Sequence, residues 1–182
     1  CVSRKYNGVR ALLCKDGFRL RGKAVFYHYH INDWPKGVTY LDVEIVLADH
    51  QCTIYTHNDV MRVLNSADLH QYHNRLHFMV IDDVSRCGRF NKKNTEFHNR
   101  YNNLFDVFRS GGMDHECDQI TIIEQLPLDD LVEVSADWKD TLDLLYTIIN
   151  EESWEGLVVR NINAFYPVDG KRDINTIFKI KP

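Results

Sequence analysis

The sequence lacks a long apolar run, an excess of positive charge and any C-x-x-C pair. No hydrophobic stretch approaches the roughly 18 residues that span a bilayer, so no membrane partner is expected. Lysine and arginine number 22 against 26 acidic residues, a net charge of −4, which argues against a protein that coats nucleic acid over its whole surface. The net charge does not exclude a basic groove in which a few lysines gather at one site.

Cysteine and histidine usage argues against a domain held together by disulfide bonds or by a bound metal. The five cysteines are scattered and odd in number, which disfavours a disulfide framework or a cysteine-based zinc site and favours reduced intracellular thiols. Nine histidines include His70, His73 and His77, which would share one face of a helix. We interpret them as polar surface positions rather than as metal ligands.

Hydrophobic patterns predict an α+β fold with mostly antiparallel sheets flanked by helices. Strands are predicted at 9–14, 40–47, 53–56, 77–84, 120–126, 156–160 and 176–181, with helices at 59–76, 97–110 and 136–150. Strands occur in runs rather than in strict alternation with helices, which favours antiparallel pairing. The 182 residues suit one domain over 1–182 with a continuous core.

Four charged clusters lie at the ends or on the polar faces of predicted strands. They are Lys5-Tyr6-Asn7-Gly8-Val9-Arg10, Glu44, Glu155-Gly156-Leu157-Val158-Val159-Arg160 and Lys179-Ile180-Lys181. Each cluster alone is typical of solvated strand ends, and the last one is an ordinary edge-strand pattern. Their interest lies in their number and order.

In this order, the clusters resemble the motifs of the covalent nucleotidyltransferase superfamily, which contains messenger-RNA capping guanylyltransferases and polynucleotide ligases. Residues 5–10 are similar to K-x-D-G-x-R, and residues 41–46 are similar to L-D-G-E-[IL]-V. Residues 78–82 resemble an apolar strand that ends in an aromatic residue and Asp. Residues 155–158 match [DE]-G-[LV]-[VI], and residues 179–182 match K-x-K-P.

The resemblance implies a covalent lysine intermediate. Lys5 would attack the α-phosphate of a nucleoside triphosphate, form a lysyl–nucleoside monophosphate and release pyrophosphate. An ammonium has no free lone pair, so Lys5 must first lose a proton. Lys179, Lys181 and a divalent cation, Mg²⁺ or Mn²⁺, would favour the uncharged amine and offset phosphate charge. Glu155 would hold that metal, as an oxygen ligand suited to Mg²⁺.

The same resemblance implies further nucleotide contacts. Arg10 and Glu44 would bind the ribose hydroxyls, and Gly8 would let the backbone pass close to the nucleotide. The remaining implied contacts are Asn7, Ile81 and Asp82.

Three positions depart from the family patterns. Asn7 stands where Asp is usual, and Asn is isosteric with it. Val43 replaces a glycine beside Glu44, so we expect a narrower ribose side of the pocket. Ile81 stands where an aromatic residue often stacks on the base, so the dispersion contact with the base should be weaker.

Two activities remain open within the superfamily. The Glu155-Gly156 pair is more typical of ligases, whereas Arg160 stands where ligases usually place Lys. The segments 166–173 and 178–182 resemble the capping pattern Y-x-x-G-x-x-x-x-[LF]-K-x-K-P. The main interpretation is therefore an mRNA capping guanylyltransferase that forms lysyl-GMP from GTP and transfers GMP to the diphosphate 5′ end of RNA. An ATP-dependent DNA or RNA ligase and a non-catalytic RNA-end-binding scaffold are the alternatives.

The resemblance also sets expectations about the rest of the protein. Relatives place strands before the nucleophilic lysine and an OB-fold domain after the final lysines. We therefore expect the chain to be the catalytic domain without those parts. The capping interpretation implies other capping or RNA polymerase subunits as partners and an intracellular location, in the nucleus or at a viral replication site. The divergence of the motifs favours a viral source.

Overall fold

The computed structural model describes residues 1–31, 34–47, 55–66, 69–85, 95–110, 116–117, 119–132, 137–166 and 176–182. The strands in these residues are β1 (Val2–Arg4), β2 (Val9–Cys14), β3 (Gly17–Leu20), β4 (Phe26–His28), β5 (Leu41–Leu47), β6 (Leu76–Asp83), β7 (Glu116–Cys117), β8 (Ile120–Ile122), β9 (Leu157–Arg160) and β10 (Ile177–Ile180). The helices are α1 (His57–Leu64), α2 (Phe97–Ser110), α3 (Leu128–Leu131) and α4 (Trp138–Glu151), with a 3-10 helix at Leu69–Arg75.

The strands form two sheets. The larger sheet has the order β4-β3-β2-β5-β6-β8-β7, and the smaller one has the order β1-β9-β10. Their pairs are antiparallel except for β6 with β8, which run parallel. The fold class is therefore the predicted one, α+β with mainly antiparallel sheets flanked by helices.

The side chains of β5 point alternately to the two faces of the larger sheet. Leu41, Val43, Ile45 and Leu47 are fully or nearly fully buried on one face, where α1, α2 and the 3-10 helix cover them. Asp42 and Glu44 therefore point to the other face, towards the smaller sheet. This parity also corrects one expectation. Val43 lies in the core behind the sheet and does not narrow the pocket.

The helices cover the outer faces of both sheets. Leu104 and Phe108 of α2 are completely buried in the main core. Leu145 and Ile149 of α4 form a second core with β1, β9 and β10. Within the part of the chain that the structure describes, no helix combines the length and apolarity needed to cross a membrane.

One predicted helix is wrong in extent. The single helix expected over 59–76 is replaced by α1, a 3-10 helix and the first residue of β6. Thr56 caps α1 in a capping box with Asp59, and Asn65 ends the helix. Residues 53 and 54 of the strand predicted at 53–56 lie outside the described residues, and Tyr55 and Thr56 are not in a strand.

Candidate active site

Lys5 and Glu155 meet at one end of the smaller sheet, where the edge strand β1 ends and the central strand β9 begins. Lys5 follows β1, and its backbone N–H donates to the Gly156 carbonyl at 2.8 Å. The Lys5 Nζ forms an ion pair with Glu155 Oε2, and Lys181 Nζ donates to Glu155 Oε1 at 2.8 Å. Burial acts to raise the pKa of Glu155, but hydrogen bonds from Lys181 and Lys5 outweigh it and hold that pKa below its usual value. Glu155 is therefore an ionised bridge between two ammonium groups.

An open cleft lies between the two sheets, with Lys5 on its wall. The described residues that line it are Ser3, Arg4, Lys5, Tyr6, Arg10, Glu44, Ile81, Ile123, Gln125, Val158, Arg160, Ile177 and Lys179. Five of these are cations, and Glu44 is the one acid among them. Cations around apolar walls suit an anionic ligand that carries a flat apolar part.

Glu44 reaches the cleft from the middle of β5. Burial raises the pKa of its carboxyl, while the charges of Arg10, Lys5 and Lys179 act against that rise. The carboxyl is thus surrounded by cations that face the same space. Such an acid can accept hydrogen bonds from hydroxyl groups of a ligand.

Arg10 is held in place by a buried acid. Its Nε and Nη2 donate to the two carboxylate oxygens of Asp42 at 2.8 and 2.5 Å, and Tyr166 Oη donates to the same carboxylate at 3.0 Å. Burial alone would raise the pKa of Asp42, but the charge and hydrogen bonds of Arg10 lower it. Burial and the Asp42 charge raise the pKa of the Tyr166 hydroxyl, which stays a donor at neutral pH. Asp42 therefore fixes the guanidinium that faces the cleft.

Asp82 lies below the cleft rather than on its wall. The Arg100 Nε and Nη2 donate to its two oxygens, each at 2.8 Å, and Arg160 Nη1 donates at 3.3 Å. Asp82 belongs to β6 of the larger sheet and Arg160 to β9 of the smaller one, so this ion pair joins the two sheets. The structure thus places Asp82 where it positions arginines, in contrast to the direct nucleotide contact expected from the motif.

Arg160 is a cleft residue to which the sequence interpretation assigned no ligand contact. Its side chain is only 7% exposed, it lines the cleft, and its Nε has no hydrogen-bond partner in the described part of the chain. The guanidinium carbon lies 4.2 Å from the centre of the Phe97 ring. Period-two alternation from Val158 would have placed Arg160 on the cleft face. An unsatisfied buried donor is costly, which makes Arg160 a candidate ligand contact.

The other predicted residues divide into two groups. Ile81 and Lys179 line the cleft, whereas Asn7, Gly8 and Lys181 are not among its described lining residues. A Cβ at Gly8 would lie 2.2 Å from the Ile45 carbonyl oxygen and 2.9 Å from Glu44 Cγ. Gly8 is therefore required first for the close approach of β2 to β5, and its contact with a nucleotide stays a prediction.

Arg4 links the segments that carry Lys5 and Glu155. Its guanidinium carbon lies 5.0 Å from the Tyr6 ring centre and 5.6 Å from the Trp154 ring centre. Tyr6 follows Lys5 directly and Trp154 precedes Glu155 directly. This stack holds the two segments together beside the ion pair.

Glu44 in the cleft and Glu155, which pairs with Lys5 beside it, are the carboxylates that could hold a divalent cation. Among the described residues, no three or more His, Cys, Asp or Glu side chains are grouped as metal ligands. The oxygen donors fit Mg²⁺ or Mn²⁺, because Mg²⁺ is commonly held by one or two carboxylates together with substrate phosphates and water. His77, which the sequence pattern placed on one helical face with His70 and His73, lies instead in strand β6.

Similar solved structures are DNA ligases. A structure from a study of Lig E DNA ligases matches with a TM-score of 0.66 and 19% identity, over 100% of this chain and 61% of that one. This chain therefore shares the fold of a DNA ligase. Chlorella virus DNA ligase-adenylate matches with a TM-score of 0.64 and 16% identity, over 99% of this chain and 60% of that one. The ligase domain of M. tuberculosis LigD matches with a TM-score of 0.57 and 16% identity.

The ligase fold is the extent of this similarity. The chain spans 54–61% of the length of these three ligase structures. No protein-family model and no curated protein sequence matches the chain.

Proposed function

We propose that the chain is the nucleotidyltransferase part of a polynucleotide ligase, which takes AMP from ATP onto Lys5. The observation that carries the proposal is the position of Lys5 on a cationic cleft between the two sheets, in ion-pair contact with Glu155. The similar structures are DNA ligases, so they support the ligase alternative over the capping interpretation. The nucleic-acid end that receives AMP is then the second substrate.

The proposed step forms one bond and breaks one. After Lys5 loses a proton to solvent, its Nζ lone pair attacks the α-phosphorus, a P–N bond forms, and the bond to the bridging oxygen breaks to release pyrophosphate. Lys179 and Lys181 offset negative charge on the phosphates. Glu155, with its pKa held low, would bind Mg²⁺ or Mn²⁺, which when bound neutralises charge on the triphosphate.

The nucleoside would lie along the cleft away from Lys5. Val158 and Ile81 offer apolar surfaces for the base, and Glu44 can accept hydrogen bonds from ribose hydroxyls. Arg160 is four residues along β9 from Gly156, about 13 Å at the strand rise. That distance puts its unpartnered Nε far from the reacting amine, where it can donate to an acceptor on the base.

Guanylyl transfer from GTP is the second candidate. Its specific support is the sequence over 166–173 and 178–182, which resembles the capping pattern. Of the first of these segments, only Tyr166 is described, and it bonds to Asp42 beside Arg10. Partnership with capping or polymerase subunits depends on this second candidate alone.

The decisive test is covalent labelling of the chain with radioactive ATP or GTP, each labelled at the α-phosphate, with Mg²⁺ or Mn²⁺. We expect acid-labile label from ATP on the wild type, retained after Lys139→Ala and absent after Lys5→Ala. Lys139 is an exposed lysine at the start of α4 and serves as the matched control.

Two results contradict the ligase proposal. Label from GTP alone would favour the capping guanylyltransferase. Nucleotide binding without covalent label, unchanged by Lys5→Ala, would favour the non-catalytic scaffold.

A further inference from the structure

A short connection between the two sheets carries Lys5. Strand β1 of the smaller sheet ends at Arg4 and strand β2 of the larger sheet begins at Val9, so residues 5–8 join the sheets here. These four residues belong to no helix or strand, and therefore no ladder of paired backbone groups fixes them. The position of the Lys5 amine depends instead on the contacts that hold the two ends of this connection.

Each end of the connection forms a hydrogen bond to a different part of the fold. At the first end, the Lys5 backbone N–H donates to the Gly156 carbonyl at 2.8 Å, next to β9. At the second end, the Gly8 carbonyl oxygen lies 2.7 Å from Nδ1 of His57. A carbonyl oxygen can only accept a hydrogen bond, so His57 Nδ1 carries a proton and donates it. His57 thus ties the Gly8 end of the connection to helix α1.

Helix α1 holds His57 in a fixed place. His57 is the first residue of the helix, and the capping box of Thr56 and Asp59 closes the same turn. Three side chains of the helix are buried in the main core against the larger sheet: Val60, Val63 and Leu64. A capped and packed helix moves little relative to the sheet that it covers. The Gly8 carbonyl is therefore held from a rigid element of the larger sheet's own core.

We propose that His57 is a positioning residue for Lys5, because its bond to the Gly8 carbonyl fixes the connection over 5–8 and with it the approach of the Lys5 amine to the α-phosphate of ATP. The inference rests on the proposed function and deepens it. Lys5 is three residues from Gly8, at most about 10 Å along an extended chain, so a shift at Gly8 is passed on to the lysine. A misplacement of about 1 Å between reacting groups can lower a rate by about a hundredfold.

The test measures the rate of covalent labelling of the full chain by ATP radiolabelled at the α-phosphate, over a range of ATP concentrations. His57 is not among the described lining residues of the cleft, so His57→Ala should leave the half-saturating ATP concentration unchanged. It should lower the rate at saturating ATP by about two- to tenfold, the value of one hydrogen bond. His57→Asn should restore most of that rate, since its Nδ2 amide is bonded to Cγ as Nδ1 is in histidine. The matched control is His98→Ala, which removes a ring in the first turn of α2 whose Nδ1 lies 3.2 Å from the Ile162 carbonyl oxygen, and it should label at the wild-type rate.

Hydrogen exchange of the backbone amides over residues 5–10 gives a second readout that needs no nucleotide. We expect faster exchange confined to these residues in His57→Ala, and wild-type exchange in His57→Asn and His98→Ala, because a loosened connection opens its amides to solvent. The inference is overturned if His57→Ala keeps the wild-type rate, if it raises only the half-saturating ATP concentration, or if His57→Asn loses as much as His57→Ala. A wild type that takes no label would contradict the proposed function, whereas faster local exchange in His57→Ala would still support the role of His57 in holding the connection.

Discussion

Asp42 and Arg10 form a buried ion pair whose energy depends on pH. The pKa of Asp42 is lower in the folded chain than its usual value, although burial acts in the opposite direction. An acid of this kind stabilises the fold above its unfolded pKa, about 3.9, and loses that contribution as pH falls through the lower folded pKa. The contribution is therefore complete at neutral pH.

We predict that Asp42→Asn lowers the free energy of unfolding at pH 7 by about 3–5 kcal/mol, because it leaves the Arg10 charge without its buried partner. Urea unfolding at pH 7 and again below pH 4 measures the change. The gap between wild type and variant should shrink as pH falls from the unfolded pKa of Asp42 towards its lower folded pKa, because the unfolded chain takes up the proton first and the folded carboxylate only at still lower pH. A gap that stays constant over this range would show that Asp42 acts without its charge.

Arg160 and Asp82 offer a second prediction on single side chains. Arg160→Gln should raise the KM for ATP in the labelling reaction by about ten- to a hundredfold, because a charged hydrogen bond contributes about 1.5–3 kcal/mol. Asp82→Asn should raise KM in the same direction and also reduce stability, since it frees Arg100 and Arg160 together. An unchanged KM after Arg160→Gln, with normal folding, would remove Arg160 from the nucleotide site.

Gly156, which directly precedes β9, lies close against the end of β10. Its φ is +152°, and a Cβ there would lie 2.2 Å from the Ile180 carbonyl oxygen. Gly37 also has a positive φ, +83°, but no atom lies within 4 Å of its Cβ position. Comparing substitutions at the two glycines therefore separates the energetic cost of backbone strain from that of a steric clash.

We predict that Gly156→Ala lowers the free energy of unfolding by more than Gly37→Ala, in which only strain of about 1–3 kcal/mol acts. Thermal unfolding of both variants gives the comparison. Gly156→Ala should also slow Lys5 labelling, since it displaces Glu155. Equal losses of stability in the two variants would show that β9 and β10 can separate at this point without cost.

Helices and strands with a fully apolar face could be predicted from the sequence. Helix ends that depend on capping and packing could not. The helix at 97–110 and the strand at 40–47 were predicted almost to the residue, because one face of each is fully apolar. The helix over 59–76 was wrong because periodicity does not reveal where a helix stops. The Thr56–Asp59 capping box was readable as a start signal, but the break after Leu64 depends on packing against the sheet.

The sequence predicted which residues belong to the candidate site, but not which neighbours the two facing sheets bring to them. The order of the motifs predicted that Lys5 and Glu155 belong together, and the structure brings them into contact. Arg160 and the Arg4 stack escaped prediction because their neighbours come from other elements, which only the facing of the two sheets brings near. The error at Val43 had a simpler cause, since strand parity with Leu41 and Ile45 already placed it in the core. An intracellular location, nuclear or viral, stays a prediction.

The smaller sheet has a consequence for how the protein folds. The larger sheet contains short hairpins such as β2–β3, whereas β1 pairs with β9 in the register Val2–Val159, across most of the chain. Contacts so distant in sequence form late, because the intervening chain must be ordered before closing the loop is favourable. We therefore expect the hydrophobic core of the larger sheet to form first. On this order Lys5 and Glu155 meet at the last closure, and a partly folded chain lacks the site at which we propose that Lys5 reacts.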